Sequence, residues 1–338
     1  MKQKKHIVLG HGSGGTLTSE LISSVFLKHF KSKELSKLND AAITKVSSHQ
    51  LSFTTDSYVV DPIIFPGGNI GKLAICGTVN DLAVSGARPK YLSTGFIIEE
   101  GLELQLLEEV VKTMADWAEI AGVEIVCGDT KIVQKGKCDK LYINTAGIGV
   151  FDADSFVSDR SRIRAGDNII INGPVGDHGI AVLGARKKLN FRNSIESDCA
   201  PLNGLITSLK SVNHGIRFMR DVTRGGLATI LSEIVSNGNI GIRVSEKDIP
   251  LNESVAEVCE ILGFDPLYLA NEGKLLLVVH ADMAKETLKC LKEHPMGRES
   301  SIIGKVTSEQ AGRIILQTAI GGQRYISEMS DILLPRIC

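Results

Sequence analysis

The chain has 338 residues, of which 43% are hydrophobic and 23% charged, a composition typical of a globular protein with two domains. Lys and Arg number 38 against 39 Asp and Glu, for a formal net charge of -1, and no basic tract is present, so we expect no nucleic-acid partner. The apolar runs are too short to span a bilayer, and the lysine-rich start breaks at glycine too early for a signal peptide. We therefore expect a cytoplasmic protein without a membrane partner.

Seven cysteines are spread widely over the chain, and no two stand at Cys-x-x-Cys spacing. They are Cys76, Cys127, Cys138, Cys199, Cys259, Cys290 and Cys338. The odd number and the wide spacing argue against a disulfide framework and against a thiolate zinc site. Most lie in apolar or helical surroundings, where a free cysteine behaves as a small apolar residue. Cys338 is the exception, because it is the last residue of the sequence.

The first half of the chain predicts strands and helices in mixed order. Residues 51–60 alternate and are rich in β-branched and aromatic side chains, which indicates a strand. Residues 102–122 carry apolar side chains at three- and four-residue steps and end at Gly122, which indicates a helix. The predicted order is strand 51–60, helix 70–89, strand 90–99, helix 102–122, strand 123–129 leading into an acidic turn, and strand 140–151.

A polar stretch around 152–165 lacks apolar periodicity and predicts a domain boundary. The predicted elements that follow are strand 167–173, helices near 179–188, 201–212, 224–237 and 253–263, and strands near 273–280, 300–306 and 312–318. Because neither half shows a regular strand-helix alternation, we expect an α+β fold with two layers in each domain.

The predicted division is an N-terminal domain over 1–155, a C-terminal α+β domain over 156–326, and a tail over 327–338. Pro335 stops any helix near the end of the tail, and the sequence offers no evident strand partner for it. We therefore expect the tail to be mobile, as an unanchored terminus usually is.

The segment "GHGSGG" (10–15) is a candidate phosphate contact. Its glycines let backbone N–H groups converge on an anion, and Ser13 adds a hydroxyl donor. No Gly-Lys-Ser/Thr follows, so the segment is not a Walker A loop. The alternative is a flexible N-terminal segment without a ligand.

Four acids stand beside small residues at predicted strand ends and helix starts: Asp40, Asp56, Asp81 and Asp129. Carboxylates placed in this way can converge on Mg²⁺, which takes oxygen ligands and usually also binds phosphate. The alternative for each acid is a turn or a helix cap. Lys131 follows Asp129 by two residues, so an extended segment points both side chains the same way. Lys131 could neutralise phosphate or assist proton transfer, or it could be a solvated surface charge.

In the second half, "RDVTRGGLATIL" places Asp221 just before a glycine pair that opens a predicted helix, whose N-terminus can hold an anion. In "LANEGKLLLVV", Glu272 precedes a strongly apolar strand. A desolvated carboxylate there would have a raised pKa and could act as a general base, although the pattern alone favours a solvated turn. His178 in "GDHG" is a candidate acid-base group or ligand, and a hydrogen-bonded turn histidine is the simpler interpretation.

Cys338 is not a prenylation site, since that signal needs the cysteine four residues from the end. Its own carboxylate disfavours the thiolate, so it is not built as a strongly activated nucleophile. A terminal thiol on a mobile tail suits another role, in which one partner modifies it and it then visits a second site. The alternative is that the chain merely ends at a cysteine.

Taken together, "HGSGG", "FTTDSYVVDPIIFPGGNIGKLAICGTVNDLAVSGARP", "GDTKIVQKG", "GDHGIAVL", "DVTRGGLA", "NEGKL" and the terminal "PRIC" resemble the HypE family, the carbamoyl dehydratases of [NiFe]-hydrogenase maturation. The resemblance runs from residue 10 to 338. It implies two α+β domains like those of aminoimidazole ribonucleotide synthetase, with the first domain forming a shared β-barrel across a homodimer and binding ATP beside it.

The resemblance also implies roles for the candidate residues. The Mg²⁺ ligands would be Asp40, Asp56, Asp81 and Asp129, and the nucleotide contacts would be Gly12, Ser13, Gly14, Gly15, Asp81, Lys131 and Asp221. Asp40 is the least secure of these, because some relatives carry a paired acid where this chain has Asn39 and Asp40.

The activity implied by the resemblance explains the terminal cysteine. A HypF-like carbamoyltransferase would load a carbamoyl group onto Cys338, ATP-dependent loss of water would give a thiocyanate, and a HypC–HypD-like iron scaffold would accept the cyanide. Phosphoryl transfer of this kind needs alignment and charge neutralisation. Glu272 would be the base, with Lys131 or His178 assisting.

Two rival functions stay open at this point. The chain could be a kinase or ligase that acts on a free small molecule, which would not need Cys338; selenophosphate synthesis is disfavoured, because "GHGSGG" contains no cysteine. The chain could also be a carrier without catalytic activity, which would not bind ATP.

Overall fold

The structure, a computed structural model, describes residues 15–26, 35–39, 41–46, 49–152, 155–189, 195–329 and 333–338. Within these ranges the chain forms two large sheets, one from residues 42–150 and one from residues 168–326. Both are covered by helices, so the architecture is mixed α+β, as the sequence predicts. The segment between the sheets includes the predicted boundary at 155, and the domain limits themselves stay a prediction. Within the described ranges, every helix is too short or too polar to cross a bilayer.

The N-terminal half holds a five-stranded sheet of order β1-β2-β7-β5-β6 and a separate short hairpin, β3-β4. Its strands are β1 (Ala42–Val46), β2 (His49–Tyr58), β3 (Ile64–Phe65), β4 (Gly68–Asn69), β5 (Arg88–Glu99), β6 (Glu124–Val133) and β7 (Leu141–Val150), and its helices are α1 (Thr16–Leu21), α2 (Ile70–Val84) and α3 (Leu104–Ala121). The strands β2, β7 and β5 pair antiparallel, while β5 and β6 run parallel.

Helix α2 lies on the inner face of this sheet and is almost entirely buried. Its apolar residues point in all directions, as in helices that are covered on every side. It begins at Asn69, whose side-chain oxygen accepts hydrogen bonds from the backbone N–H groups of Gly71 (2.9 Å) and Lys72 (3.1 Å). Because α2 also contacts elements of the C-terminal half, it joins the two halves of the molecule.

The C-terminal half is built on a seven-stranded sheet of order β14-β13-β10-β12-β8-β11-β9. Its strands are β8 (Asn168–Ile171), β9 (Ile216–Asp221), β10 (Gly241–Ser245), β11 (Leu275–Val279), β12 (Ser301–Thr307), β13 (Ile314–Gln317) and β14 (Gln323–Ile326), and its helices are α4 (Asp177–Lys187), α5 (Asn203–Ser208), α6 (Gly226–Val235), α7 (Glu253–Leu262) and α8 (Ala284–Glu293). Separate apolar clusters pack on the two faces of the central strands, which is why β11 is an unbroken apolar run.

Strand β6 lies at the edge of its sheet, and nearly all of its side chains are exposed, including Val126 at 52% and Ile132 at 64%. Exposed apolar side chains continue across the outer face of the sheet at Phe53, Tyr91 and Ile148. A long edge strand beside an exposed apolar face is typical of a surface that another chain covers.

The acidic turn expected after residue 129 is wrong. Strand β6 continues through Asp129 and Lys131 to Val133, because β5 offers a hydrogen-bonding partner along this whole length, with Asp129 beside Gly95 and Lys131 beside Ile97. Strands β1, β9, β10 and β14 and helix α8 are present although the sequence analysis did not predict them.

Candidate active site

The end of the chain, 333–338, contacts both halves of the molecule. The backbone N–H of Val59 donates to the carbonyl oxygen of Cys338 (3.0 Å), and the N–H of Asp61 donates to that of Arg336 (3.2 Å). The guanidinium Nε of Arg336 donates back to the carbonyl of Val59 (2.9 Å). The described end of the tail thus pairs antiparallel with the segment that follows β2, as an added strand would.

Helix α4 holds the tail from the other side. Arg186 donates from Nη2 to the carbonyl of Arg336 and from Nε to the carbonyl of Asp61, both at 2.7 Å. The Nε2 atom of His178 lies 2.8 Å from the carbonyl oxygen of Ile337. The Ile337 side chain is buried in the core of the N-terminal half. The structure therefore shows the end of the predicted tail in a docked position.

Docking surrounds the Cys338 thiol with charged groups. Burial raises the pKa of the Cys338 thiol to about 12; the Arg224 guanidinium opposes this rise, and the negative charges of Glu272, Asp56 and Asp221 add to it. A cavity of about 220 Å³ is lined by Arg224, the residues of the docked tail and Cys338 itself. In this position the thiol is protonated at neutral pH and faces open space next to acids and a cation.

Glu272 is only 3% exposed, against the expectation of a solvated turn. Its backbone is fixed by the carboxylate of Asp198, which accepts from the N–H groups of Glu272 (3.0 Å) and Gly273 (3.2 Å) and pairs with Lys274 (3.0 Å). The Oε1 atom of Glu272 has no hydrogen-bond partner among the described residues. Burial, followed by the neighbouring thiol of Cys199 and the charge of Asp198, raises the pKa of Glu272 well above its ordinary value.

Asp221 ends strand β9 and is buried near Asp56. Burial raises the pKa of Asp221 to about 6; the Arg220 guanidinium opposes the rise, and the charge of Asp56 adds to it. A cation bound beside Asp221 would stabilise its charged form.

Tyr58 connects the acids of the N-terminal half. Its hydroxyl donates to Oδ2 of Asp56 (3.2 Å), while Thr54, two residues before Asp56 on β2, donates to Oδ2 of Asp81 on α2 (2.8 Å). The absence of a side chain at Gly77 leaves the space that the Tyr58 hydroxyl fills. Asp56 and Asp81 therefore both lie on the inner side of the N-terminal sheet.

Asp129 and Lys131 lie apart from these acids. They form an ion pair with each other (2.5 Å), and their side chains are 70% and 68% exposed. Their register partners on β5 are Gly95 and Ile97, which belong to the outer face of the sheet, because paired residues of neighbouring strands point to the same side. Within one chain the sheet thus separates this pair from Asp56.

Four of the candidate residues near the N-terminus lie outside the described residues: Gly12, Ser13, Gly14 and Asp40. Gly15 is described; it precedes helix α1 and packs so closely on the backbone of Met329 that a side chain at Gly15 would overlap it. The end of the glycine segment therefore meets the start of the predicted tail.

Cys338 thus lies within electrostatic reach of Glu272, Asp56 and Asp221, and Tyr58, which is hydrogen-bonded to Asp56, lies within electrostatic reach of Asp81. Sequence reasoning missed Arg224 as a site residue. The signal was a cation directly before the glycine pair that opens a helix in "DVTRGGLA". It also missed Asp198, which no local pattern marks.

The donor chemistry of this cleft fits a magnesium–nucleotide complex better than a bare metal cage. Within the described ranges, no three histidine, cysteine or carboxylate side chains stand ready to enclose a metal ion. Mg²⁺ commonly takes only one or two carboxylates and completes its shell with water and phosphate. Asp56 and Asp81 on the inner side of the N-terminal sheet, with Asp221 near Asp56, offer carboxylate oxygens for such a complex.

Comparison with known proteins identifies the family of both halves of the chain. The family model described as "AIR synthase related protein, N-terminal domain" matches residues 38–151, and the model for the corresponding C-terminal domain matches residues 164–317. Together they match more than half of the chain.

Full-length relatives are close. The carbamoyl dehydratase HypE of Rhodobacter capsulatus is 45% identical over 337 residues, which covers 99% of this chain and 98% of the relative. A crystal structure of hydrogenase maturation protein HypE in complex with ATP has 47% identity and a TM-score of 0.82 over 98% of this chain and all of that chain. A HypE–HypF complex has 43% identity and a TM-score of 0.86 over 91% of this chain and 99% of that chain. The chain belongs to the HypE family of carbamoyl dehydratases.

Proposed function

We propose that this protein dehydrates a carbamoyl group carried on its own Cys338, using ATP, and so makes the thiocyanate that supplies cyanide to the iron of a [NiFe]-hydrogenase. One observation carries the proposal: the end of the tail is docked so that Cys338 shares a cavity with Arg224 and lies within electrostatic reach of Glu272, whose Oε1 atom is buried without a hydrogen-bond partner in the described chain. A carrier that only presents its end would have no reason to place the thiol next to a desolvated acid.

The atoms balance as follows. The thiocarbamate Cys338–S–C(=O)–NH₂ loses its oxygen and both N–H protons and becomes Cys338–S–C≡N. ATP, when bound, turns the carbamoyl oxygen into a phosphate leaving group, so that the oxygen leaves in inorganic phosphate beside ADP. What remains for the protein is to hold the carbamoyl group in line, to neutralise charge and to accept the N–H protons.

Glu272 is the proposed proton acceptor. The Arg224 guanidinium lowers its pKa, against the larger effect of burial, and a cation held nearby would lower it further. A carboxylate whose pKa is raised by burial is suited to accept N–H protons and to pass them on to solvent. His178 is bonded to the tail, so we assign it no proton transfer.

Mg²⁺ is assigned to the inner acids. Asp56 and Asp81 would bind it together with phosphate oxygens, and Asp221 would contact the nucleotide complex from the C-terminal half. Gly12, Ser13, Gly14 and Gly15 would cover the phosphates. Asp40 stays a proposed ligand on sequence grounds alone.

Lys131 and Asp129 imply a homodimer. Both residues lie on the outer face of the N-terminal sheet. They would contact a nucleotide there only if a second chain covered that face and completed the binding site. The exposed apolar side chains around Val126, Tyr91 and Ile148 support this arrangement, and we propose that two such sheets form a shared β-barrel.

The docked thiol implies that the tail must move. With its pKa raised to about 12, docked Cys338 holds too little thiolate to take up a carbamoyl group. We propose that the tail leaves the cleft, is carbamoylated in the cytoplasm by a HypF-like partner, returns for dehydration, and then delivers cyanide to a HypC–HypD-like iron scaffold. The solved HypE–HypF complex of a relative supports the first of these partners.

Intact-protein mass spectrometry tests the proposal. The protein is incubated with its carbamoyltransferase, carbamoyl phosphate, ATP and Mg²⁺. We expect a carbamoyl adduct on the C-terminal peptide that then loses the mass of one water. The matched control, Cys290→Ala, should behave like the wild type. The same adduct on Cys338→Ala would refute the proposal, and unchanged ATP turnover on a free small molecule in that variant would favour a small-molecule kinase.

A further inference from the structure

We propose that His178 is a positioning residue for the terminal cysteine. It holds the main chain of the tail in the register that places Cys338 at the cavity lined by Arg224. The inference rests on the proposed function, because it explains how the reacting sulfur is located. His178 is fully buried, and both of its ring nitrogens are bonded: Nδ1 lies 2.7 Å from the Ser197 hydroxyl, and Nε2 lies 2.8 Å from the carbonyl oxygen of Ile337.

The partners fix the tautomer of the ring. A backbone carbonyl can only accept, so Nε2 carries the proton and donates it to Ile337. The Ser197 hydroxyl already accepts a hydrogen bond from the backbone N–H of Cys199 (3.1 Å), so it donates to the unprotonated Nδ1. Burial lowers the pKa of His178, in keeping with a neutral ring. The serine thus presets the histidine as a donor aimed at the tail.

The donor is rigid. His178 lies in the first turn of α4. Gly176, which directly precedes this helix, has a left-handed backbone conformation. The ring also stacks edge-on against Phe65, with centroids 5.5 Å apart. Two helical turns further on, Arg186 donates to the carbonyl of Arg336 (2.7 Å). One helix therefore supplies donors to two consecutive carbonyls of the tail.

His178 and Arg186 bond carbonyl groups of the tail and not its side chains. They therefore fix which residue of the tail lies at each position, without using the Cys338 sulfur. A slip of one residue would exchange the directions of Ile337 and Cys338, because successive side chains of an extended segment alternate. The Ile337 side chain would then leave the apolar core, and Cys338 would lose its docked position. Of the two α4 side chains that bond the tail, His178 reaches the carbonyl nearer to Cys338.

The test is the rate at which iodoacetamide labels each cysteine of the full-length protein, read by peptide mass spectrometry. Docked Cys338 is protected by its raised pKa, so labelling reports the undocked fraction. We expect His178→Ala to raise the labelling rate of Cys338 by about 5- to 30-fold, the effect of one lost buried hydrogen bond. His178→Gln, whose amide N–H can reach the same carbonyl, should restore much of the protection. His294→Ala, a histidine away from the tail, should label like the wild type.

Two buried thiols, Cys76 and Cys259, serve as internal reporters of general loosening. An unchanged Cys338 rate in His178→Ala would overturn the inference, and so would a rise at all three thiols together. In the loaded protein, conversion of carbamoyl to thiocyanate should fall in His178→Ala and recover in His178→Gln. Labelling needs neither ATP nor a carbamoyl group, so a failure of the proposed function would leave the labelling result readable on its own.

Discussion

Glu272 shows how one residue is prepared for chemistry by its neighbours. Its position depends on the Asp198 carboxylate, which binds two successive backbone N–H groups and Lys274. Burial tends to raise the pKa of Asp198, but Lys274 and these hydrogen bonds hold it below its ordinary value. Asp198 therefore stays ionised as an anchor, while burial raises the pKa of Glu272, whose Oε1 atom has no hydrogen-bond partner in the described chain.

A change of Glu272 to Gln removes the base and keeps the shape. We expect Glu272→Gln to accumulate the carbamoyl form and to lower the rate of thiocyanate formation by roughly 100- to 10,000-fold, the range for general-base catalysis. Quenched mass spectrometry of the C-terminal peptide measures both species. The exposed Glu257→Gln should turn over normally. A wild-type thiocyanate rate in Glu272→Gln would remove Glu272 from the mechanism.

The raised pKa of Asp221 predicts that the free energy of unfolding depends on pH. Its pKa is about 6 in the folded chain against 3.8 ordinarily, so the folded state keeps a proton that the unfolded state releases. Raising the pH from about 4 to 6 therefore favours unfolding, by roughly 1–3 kcal/mol at full effect. Asp221→Asn should remove this part of the decline in the free energy of unfolding, measured by denaturant titration in chelator at each pH. The surface variant Asp248→Asn should keep the wild-type slope, and parallel curves for wild type and Asp221→Asn would contradict the assignment.

At the scale of elements, helix α2 fits the two halves together. It packs on the sheet of the N-terminal half and contacts α5 and β9 of the C-terminal half. Asn80 shows the close fit: its side chain donates to the carbonyl of Ala200 (3.1 Å) and accepts from the N–H of Leu202 (2.7 Å). The carboxylate of Asp81, the next residue, accepts a hydrogen bond from Thr54 on the inner side of the N-terminal sheet. The same turn of the helix thus contacts the C-terminal half and presents a proposed Mg²⁺ ligand.

Gly77 on α2 is expected to tolerate no side chain. A methyl group there would overlap the Tyr58 hydroxyl, and Tyr58 is buried. Ala is favoured over Gly in a helix by about 1 kcal/mol, yet overpacking of this kind costs about 1–3 kcal/mol. We therefore expect Gly77→Ala to lower the free energy of unfolding. Gly95→Ala is the control, since its nearest neighbours would be 3.8 Å away. Equal stability of both variants would show that Tyr58 can move aside.

The elements also show what the sequence could predict. Strands such as β2 and helices such as α3 carry their own periodicity, so their positions were predicted to within a few residues. Strands β9 and β10 owe their conformation to neighbouring strands, and no local pattern marks them. The tail was expected to be mobile because its partners, Val59, Asp61 and His178, lie far away along the chain. The local pattern favoured a solvated turn at Glu272, and its burial is seen only in the structure, because Asp198, which fixes its backbone, lies far away along the chain.

At the scale of the whole molecule, the candidate residues are divided between a cleft within one chain and an exposed face of the N-terminal sheet. The cleft holds the thiol and most of the candidate acids, while Asp129 and Lys131 face outward beside an edge strand. The proposed homodimer would close that face, and a tail that moves would connect the cleft with outside partners. The docked end of the tail is one position in that cycle.

The outer face provides a direct test of the dimer. We expect the wild type to have twice the mass of the 36.4 kDa chain in light scattering. Ile148→Glu should yield a monomer, because it would bury an unpaired charge in the interface. Ile261→Glu, at an exposed residue of helix α7, should leave the mass unchanged. A monomeric wild type, or a dimeric Ile148→Glu, would contradict the proposed barrel.

The most direct test of the central claim follows one oxygen atom. Cys338 is loaded with a carbamoyl group labelled with oxygen-18, ATP and Mg²⁺ are added, and the released phosphate is analysed by mass spectrometry. If the carbamoyl oxygen on Cys338 is activated by phosphoryl transfer, inorganic phosphate should carry one labelled oxygen for each thiocyanate formed. Thiocyanate formed together with unlabelled phosphate would contradict the account.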